Sequence, residues 1–376
     1  MIVSRIELEN FRNIERASLS FSNTFNLFTG KNSQGKTNML EAIHLFSLGR
    51  SFRTRRQDEL IMFDREYFFL SLGGESDTGV KFNLDMGREK GGRFKVSVNG
   101  KKLSSISEII GVIPTVIFTA EDIYLTSGPP AARRTFLDYT NAQISPLFLE
   151  ELKDYRRIIK HRNALLRRVG EGEIDAEELG AWDEILSEKG AAVVEGRMAI
   201  AGEVERRAGE LLAEILAGDE PIRLDYRRSF GSEGSNNRES LLEALRESRW
   251  NELRRGYTLA GPHYDDVGIY IGDIDIRKYG SQGRRRLVAI VLKLAQAATI
   301  MEMRDERPVV LLDDIFSELD DEITSRLGGL LSDRYQSFIT SPGRGGIPRE
   351  AEGASVFHVE MGRISGAECE SDTPEV

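Results

Sequence analysis

Alternation dominates the first thirty residues. Ile2, Ser4, Ile6 and Leu8 lead into Asn10, residues 17–21 alternate again, and Phe25-Asn26-Leu27-Phe28 follows, so three short strands are predicted. A glycine-rich turn opens at Gly30. From Lys36 to Leu48 the period changes, with Met39, Ile43 and Phe46 at steps of 4 and 3, which predicts a helix. Residues 67–72, 80–86 and 94–98 read as antiparallel strands. Asn99-Gly100 is a hairpin turn, because both residues tolerate positive φ. Residues 112–118 add another strand.

The middle of the chain is helical. Ser145-Pro146 marks a start, a cap followed by proline in the first turn. Phe148, Leu152, Tyr155, Ile159 and Leu166 then share a face, and Gly170-Glu171-Gly172 breaks the pattern. A second stripe runs from Trp182 through Leu186, Val193, Ile200, Val204 and Leu211 to Ile215. Two striped helices around a short break predict an antiparallel helical hairpin. Gly231 to Asn237 reads as a polar loop. The last third returns to strands at 267–271, 309–312 and 337–340, with a helix at 285–299, and the tail from Glu368 is polar and expected to fray.

Composition narrows the class. The 376 residues carry a formal charge of −10, so a uniformly basic nucleic-acid coat is excluded while a local basic groove is not. A single cysteine, Cys369, rules out a disulfide framework or a cysteine zinc site, and with the charged N-terminus points to the cytoplasm. No apolar run is long enough for a membrane span. The four histidines are scattered, without metal-ligand spacing.

The strongest chemical signal is Gly30-Lys31-Asn32-Ser33-Gln34-Gly35-Lys36-Thr37, which satisfies G-x-x-x-x-G-K-[ST] between a strand and a helix. Gly30 and Gly35 permit a tight turn that aims backbone N–H groups at phosphate oxygens, and the following helix adds its positive end. Lys36 supplies charge to the β- and γ-phosphates, and Thr37 a hydroxyl to Mg²⁺. The second metal anchor is expected in Val309-Val310-Leu311-Leu312-Asp313-Asp314, where a buried strand delivers Asp313 at its C-terminal end. Asp314 is then placed to orient or activate the attacking water.

Tyr279-Gly280-Ser281-Gln282-Gly283-Arg284 precedes a helix, and Ser317-Glu318-Leu319-Asp320 follows the two aspartates. Phosphate loop, S-x-G signature, hhhhDD and S-x-L-D stand in the order of ABC-type ATPases. With residues 9–13, 118–122, 128–138 and 256–263, the chain resembles the RecF family of bacterial DNA replication and repair proteins over nearly its whole length. Arg284 and Tyr264 depart from the family, which usually has Gln or Glu and Arg there. The resemblance implies an α/β, ABC-type ATPase head with a phosphate-loop core sheet and an antiparallel β-subdomain, formed by residues 1–120 plus 251–376. A helical lobe at 121–250 is inserted as a second domain. It implies ATP and Mg²⁺ as cofactors, with Gly30 to Thr37 on the nucleotide, Thr37 and Asp313 on the metal, Asp314 and Lys36 catalytic, and Arg12 and Asn13 at the phosphates. Ser281, Gln282 and Gly283 would face the partner's γ-phosphate. It further implies an ATP-dependent homodimer clamped on DNA, weak DNA-stimulated ATPase activity, recombinational repair with RecO and RecR partners, recombinase loading and the SOS response.

Two basic runs are candidate phosphodiester contacts: Arg50, Arg53, Arg55 and Arg56, and residues 153–168, within a segment (151–170) of net charge +5. Two other classes remain open. A transporter's nucleotide-binding subunit is disfavoured by the 276 positions between Thr37 and Asp313. An SMC-like structural ATPase is disfavoured because the middle helices are too short for a long coiled-coil arm.

Overall fold

The computed structural model describes residues 1–366, 368 and 369, apart from 174, 217–219, 233, 344–346 and 352. The chain divides into two compact units, residues 1–122 with 296–376 and residues 123–295.

In the first unit, apolar runs buried on both faces make a mostly parallel sheet, as expected for such runs. Phe25–Thr29 lies between Ser355–Glu360 and Ser337–Ser341, and Val309–Asp313 between Ser337–Ser341 and Thr115–Phe118, all parallel. Register places Asp313 opposite Thr340, and Ser341 opposite Thr29, so polar side chains gather at the strands' C-terminal ends. Asn26 is the one polar side chain within Phe25-Asn26-Leu27-Phe28. Its amide both donates to and accepts from the backbone of Ser22, so no polar group is stranded. The second sheet is antiparallel: Ile2–Phe11 pairs with Ile14–Ser20 and Tyr67–Glu75, then Lys81–Glu89 and Lys95–Val98 follow. Asn99 and Gly100 make the turn into Lys101–Lys102 with φ of 49° and 77°. The helix Lys36–Leu48 touches strands of both sheets, Val309–Asp313 and Tyr67–Glu75 among them. It is buried on nearly every face, and Lys36, Glu41, His44 and Ser47 are buried along with its apolar residues.

The second unit contains the expected helical hairpin, Pro146–Gly170 against Leu179–Leu216. Ser145 Oγ accepts the Phe148 N–H at 3.1 Å, which caps the first helix. The helix Asn237–Arg255 packs on both members of the hairpin. Phe148, Leu152, Leu186, Val193, Leu241 and Leu245 form a core separate from that of the first unit.

The second boundary differs from the expected division at 250. Strand Ile222–Arg227 pairs along its whole length with Asp266–Ile271, which ties residues beyond 250 to the helical unit. The boundary falls instead within the helix Gln282–Arg304. The tail differs too. Glu368–Cys369 pairs with Leu19 and Ser20 as a short edge strand, and residues 370–376 lie outside the described residues.

Candidate functional site

The strand Phe25–Thr29 ends where the turn begins, and the turn's conformation explains its glycines. Gly30 has φ of 152°, and a Cβ there would stand 2.2 Å from the Val359 carbonyl oxygen. Gly35 has φ of 118°, and a Cβ would stand 2.7 Å from Asn13 Oδ1. Neither position admits a side chain without moving the loop. Lys31, Asn32 and Ser33 are exposed at the tip. Gln34 fastens the loop from behind: its carbonyl accepts from Gly362 N at 2.9 Å, and its Oε1 accepts from Met361 N at 2.7 Å.

Lys36 is 4% exposed, and its Nζ donates to the carbonyls of Gly30 at 2.7 Å and Lys31 at 3.1 Å. The ammonium is thus folded back into the mouth of the loop, at the positive end of the helix Lys36–Leu48. Thr37 Oγ1 donates to Asp313 Oδ1 at 2.8 Å, across 276 positions of sequence. Thr340 Oγ1 donates to the same oxygen at 2.8 Å and accepts the Asp314 N–H at 2.9 Å. Asp314 adopts φ of 54°, a left-handed conformation that aspartate and asparagine enter more readily than most residues.

These groups suit a magnesium nucleotide. A hydroxyl and one carboxylate suffice for Mg²⁺, which takes its remaining ligands from phosphates and water. Accordingly, the described residues contain no cluster of three or more His, Cys, Asp or Glu able to hold a metal by themselves.

Arg12 and Asn13 do something other than reach outward in this structure. Arg12 forms a two-point ion pair with buried Glu41, Nε at 2.8 Å and Nη2 at 2.6 Å, and its Nη1 donates to the Glu59 carbonyl. Asn13 Nδ2 donates to the Gln34 carbonyl at 2.9 Å, and its Oδ1 accepts from Asn38 at 2.7 Å. Both side chains buttress the loop and the first turn of the helix. Thr340, Gln34's partners at 361–362 and Glu41 were not singled out from sequence. Thr340 had a legible signal, a hydroxyl at the end of a buried strand next to the Asp313 strand. The other two depend on contacts between distant segments.

Ser281, Gln282 and Gly283 lie in the second unit and are exposed. Ser281 Oγ accepts from Arg284 N at 3.3 Å and its carbonyl from Arg285 N at 2.9 Å, so Ser281 starts the helix Gln282–Arg304. Arg284 is paired with Glu220. Arg285 ties this start to the short helix Ile276–Tyr279 through the carbonyls of Ile276 and Arg277.

The basic runs are less free than their composition suggests. Arg162 is fully buried, donating to Asp183 at 2.8 Å, Glu252 at 2.6 Å and Thr258 at 2.9 Å, so it is no surface contact. Lys153, Arg156, Arg157 and Arg168 pair with Glu150, Asp138, Asp154 and Glu173. Arg53, Arg55 and Arg56 are all exposed, with Arg53 leaning on Asn38 and Glu41 and Arg56 facing Glu59 at 3.9 Å.

The phosphate loop, strand-end aspartates and paired parallel and antiparallel sheets define an ABC-type ATPase head. The chain belongs to the RecF family: the family model for the RecF/RecN/SMC N terminal domain matches residues 2–365. The DNA replication and repair protein RecF of Heliobacterium modesticaldum is 36% identical over 97% of this chain and 99% of its own length. That of Bacillus subtilis is 35% identical over 97% and 100%. A solved structure of the recombination mediator RecF-ATP of the RecFOR pathway superposes with a TM-score of 0.90 at 34% identity, covering 98% of each chain. The Smc head domain of Pyrococcus furiosus, at 18% identity and a TM-score of 0.56, shares the fold.

Proposed function

We propose that this chain binds ATP with Mg²⁺ in the loop Gly30–Thr37, dimerises around it, and serves DNA recombination and repair as an ATP-gated clamp. The observation that carries the reading is the 2.8 Å bond joining Thr37 to Asp313, beside a Lys36 ammonium held in the loop's mouth. Backbone N–H groups of the loop and Lys36 Nζ bind the β- and γ-phosphates; Lys36 exchanges its carbonyl partners for phosphate oxygens. Thr37 and Asp313 hold the metal, which supplies charge neutralisation between the phosphates. Asp314 orients and deprotonates the attacking water, and its short side chain fits slow, DNA-stimulated turnover. Ser281, Gln282 and Gly283 of one copy close over the nucleotide of the other, with the helix N-terminus facing the γ-phosphate. RecF relatives named for replication and repair, and one solved with ATP, support this class over a transporter subunit. The same kinship supports action in the cytoplasm, with RecO and RecR, in loading the recombinase and in the SOS response.

Lys36→Met tests the nucleotide assignment. The variant is expected to lose ATP binding in a filter assay, because a thioether replaces the buried ammonium held against the Gly30 and Lys31 carbonyls. Unchanged affinity would overturn the assignment.

A further inference from the structure

The S-x-G turn has no packing to hold it. Ser281, Gln282 and Gly283 are exposed, and a Cβ at Gly283 would meet nothing within 4 Å. Their direction is set instead by a brace between the two flanking helices, Ile276–Tyr279 and Gln282–Arg304.

The fixed point of the brace is Ile276. Its side chain is fully buried, and Asp275 caps its helix, accepting the N–H groups of Arg277 at 3.0 Å and Lys278 at 3.2 Å. The Ile276 carbonyl accepts from Gly280 N at 3.1 Å and from Arg285 Nε at 3.1 Å. Arg285 Nη2 donates to the next carbonyl, that of Arg277, at 2.7 Å. The guanidinium thus spans the turn as a two-point fork on carbonyls of the short helix. Gly280 lets the chain pass beneath it: a Cβ there would stand 2.6 Å from the Ile276 carbonyl oxygen and 3.2 Å from Arg285 Cγ. Its φ of −68° suits any residue, so close approach alone requires the glycine. The Arg285 backbone is tied as well. Its N–H donates to the Ser281 carbonyl at 2.9 Å, and buried Thr126 Oγ1 lies within donating distance of its carbonyl at 3.1 Å.

We infer that Arg285 is a positioning residue of the composite nucleotide site: its side chain holds residues 281–283 in the conformation that closes over the partner's γ-phosphate. The inference rests on the reading of a site shared between two copies. A turn already set in its closing form loses less conformational freedom when it meets an anion, so the brace strengthens ATP-driven dimerisation. It also keeps Ser281 aligned on the γ-phosphate during hydrolysis, where small misplacements are costly. Arg285 itself touches no nucleotide.

The test compares the full wild-type chain with Arg285→Gln, Arg285→Lys and Gly280→Ala. ATP binding is measured by filter assay, dimerisation by sedimentation velocity, and single-turnover hydrolysis at enough protein to restore the dimer. Glutamine cannot span both carbonyls. Arg285→Gln should therefore dimerise about tenfold more weakly, the worth of one charge-assisted hydrogen bond, and hydrolyse more slowly once dimeric. Lysine keeps a charged donor and should recover part of both. Gly280→Ala should reproduce both losses, because it pushes the turn off Ile276 while leaving the Arg285 charge in place. ATP affinity should be unchanged in all three, since residues 30–37 are intact. Dimerisation and turnover of Arg285→Gln equal to wild type would overturn the inference. So would loss of ATP binding together with dimerisation, which marks a fold defect and not a misdirected turn. A wild-type chain that stays monomeric with ATP would overturn the shared-site reading itself, and this inference with it.

Discussion

Asp313 and Asp314 are neighbours with opposite geometry. Asp313 ends a strand and receives two hydroxyls, whereas Asp314 turns into the left-handed region with its N–H fixed by Thr340. Asn also tolerates that backbone, so Asp314→Asn separates charge from conformation. ATP binding is expected to persist while turnover falls by at least about a hundredfold, the scale of a lost general base. Single-turnover hydrolysis at wild-type rate would move the water-activating role elsewhere. His263 offers a residue-scale test of stability. Burial, with Arg134 and Arg197 nearby, lowers its pKa from 6.5 to about 4, against a contact with the Thr258 carbonyl that raises it. Its Nδ1 accepts from Tyr155 Oη at 2.6 Å, as neutral imidazole does. The unfolded chain therefore takes up a proton near pH 6.5 that the folded chain refuses until about pH 4. Stability should fall by about 3 kcal/mol on acidification through that window, and level off for this group below it. His263→Gln should flatten the acid limb of a urea-midpoint profile; an unaltered limb would assign the loss to other groups.

Helices and strands were legible where a single rule governs them. Lys36–Leu48 followed from its step pattern and the preceding glycine, and the cap at Ser145 from Ser-Pro chemistry. Ser145→Ala should cost about 1 kcal/mol, read as a lowered urea midpoint, because Phe148 N loses its acceptor. No change would mean that water replaces the cap at no cost. Asn237–Arg255 escaped a reading by period because its exposed faces outnumber its buried positions, and only Leu241, Leu245 and Glu252 are buried. Ile222–Arg227 escaped for a related reason: only Ile222 of its six residues is buried, and it is held by pairing with the distant strand Asp266–Ile271. Arg162 shows the same limit. A charge run looks like a solvated face, yet here one cation lies between two buried carboxylates, and deleting either partner would cost about 3–5 kcal/mol.

At the scale of the whole chain, the head was readable because its chemistry sits in contiguous motifs, the glycine loop and the strand-end aspartates. The second boundary was not, since it depends on which strand residues 266–271 choose as partner. What unites the two units functionally is the claim that Ser281 of one copy completes the nucleotide site of another. Ser281 is exposed at a helix start, so Ser281→Arg disturbs no packing. Sedimentation velocity of the wild-type chain and Ser281→Arg, each without nucleotide, with ADP and with ATP, tests that claim most directly. The account predicts a wild-type dimer with ATP alone, and a Ser281→Arg chain that binds ATP but stays monomeric throughout. A wild-type mass independent of nucleotide, or ATP-driven dimerisation of Ser281→Arg equal to wild type, would contradict it.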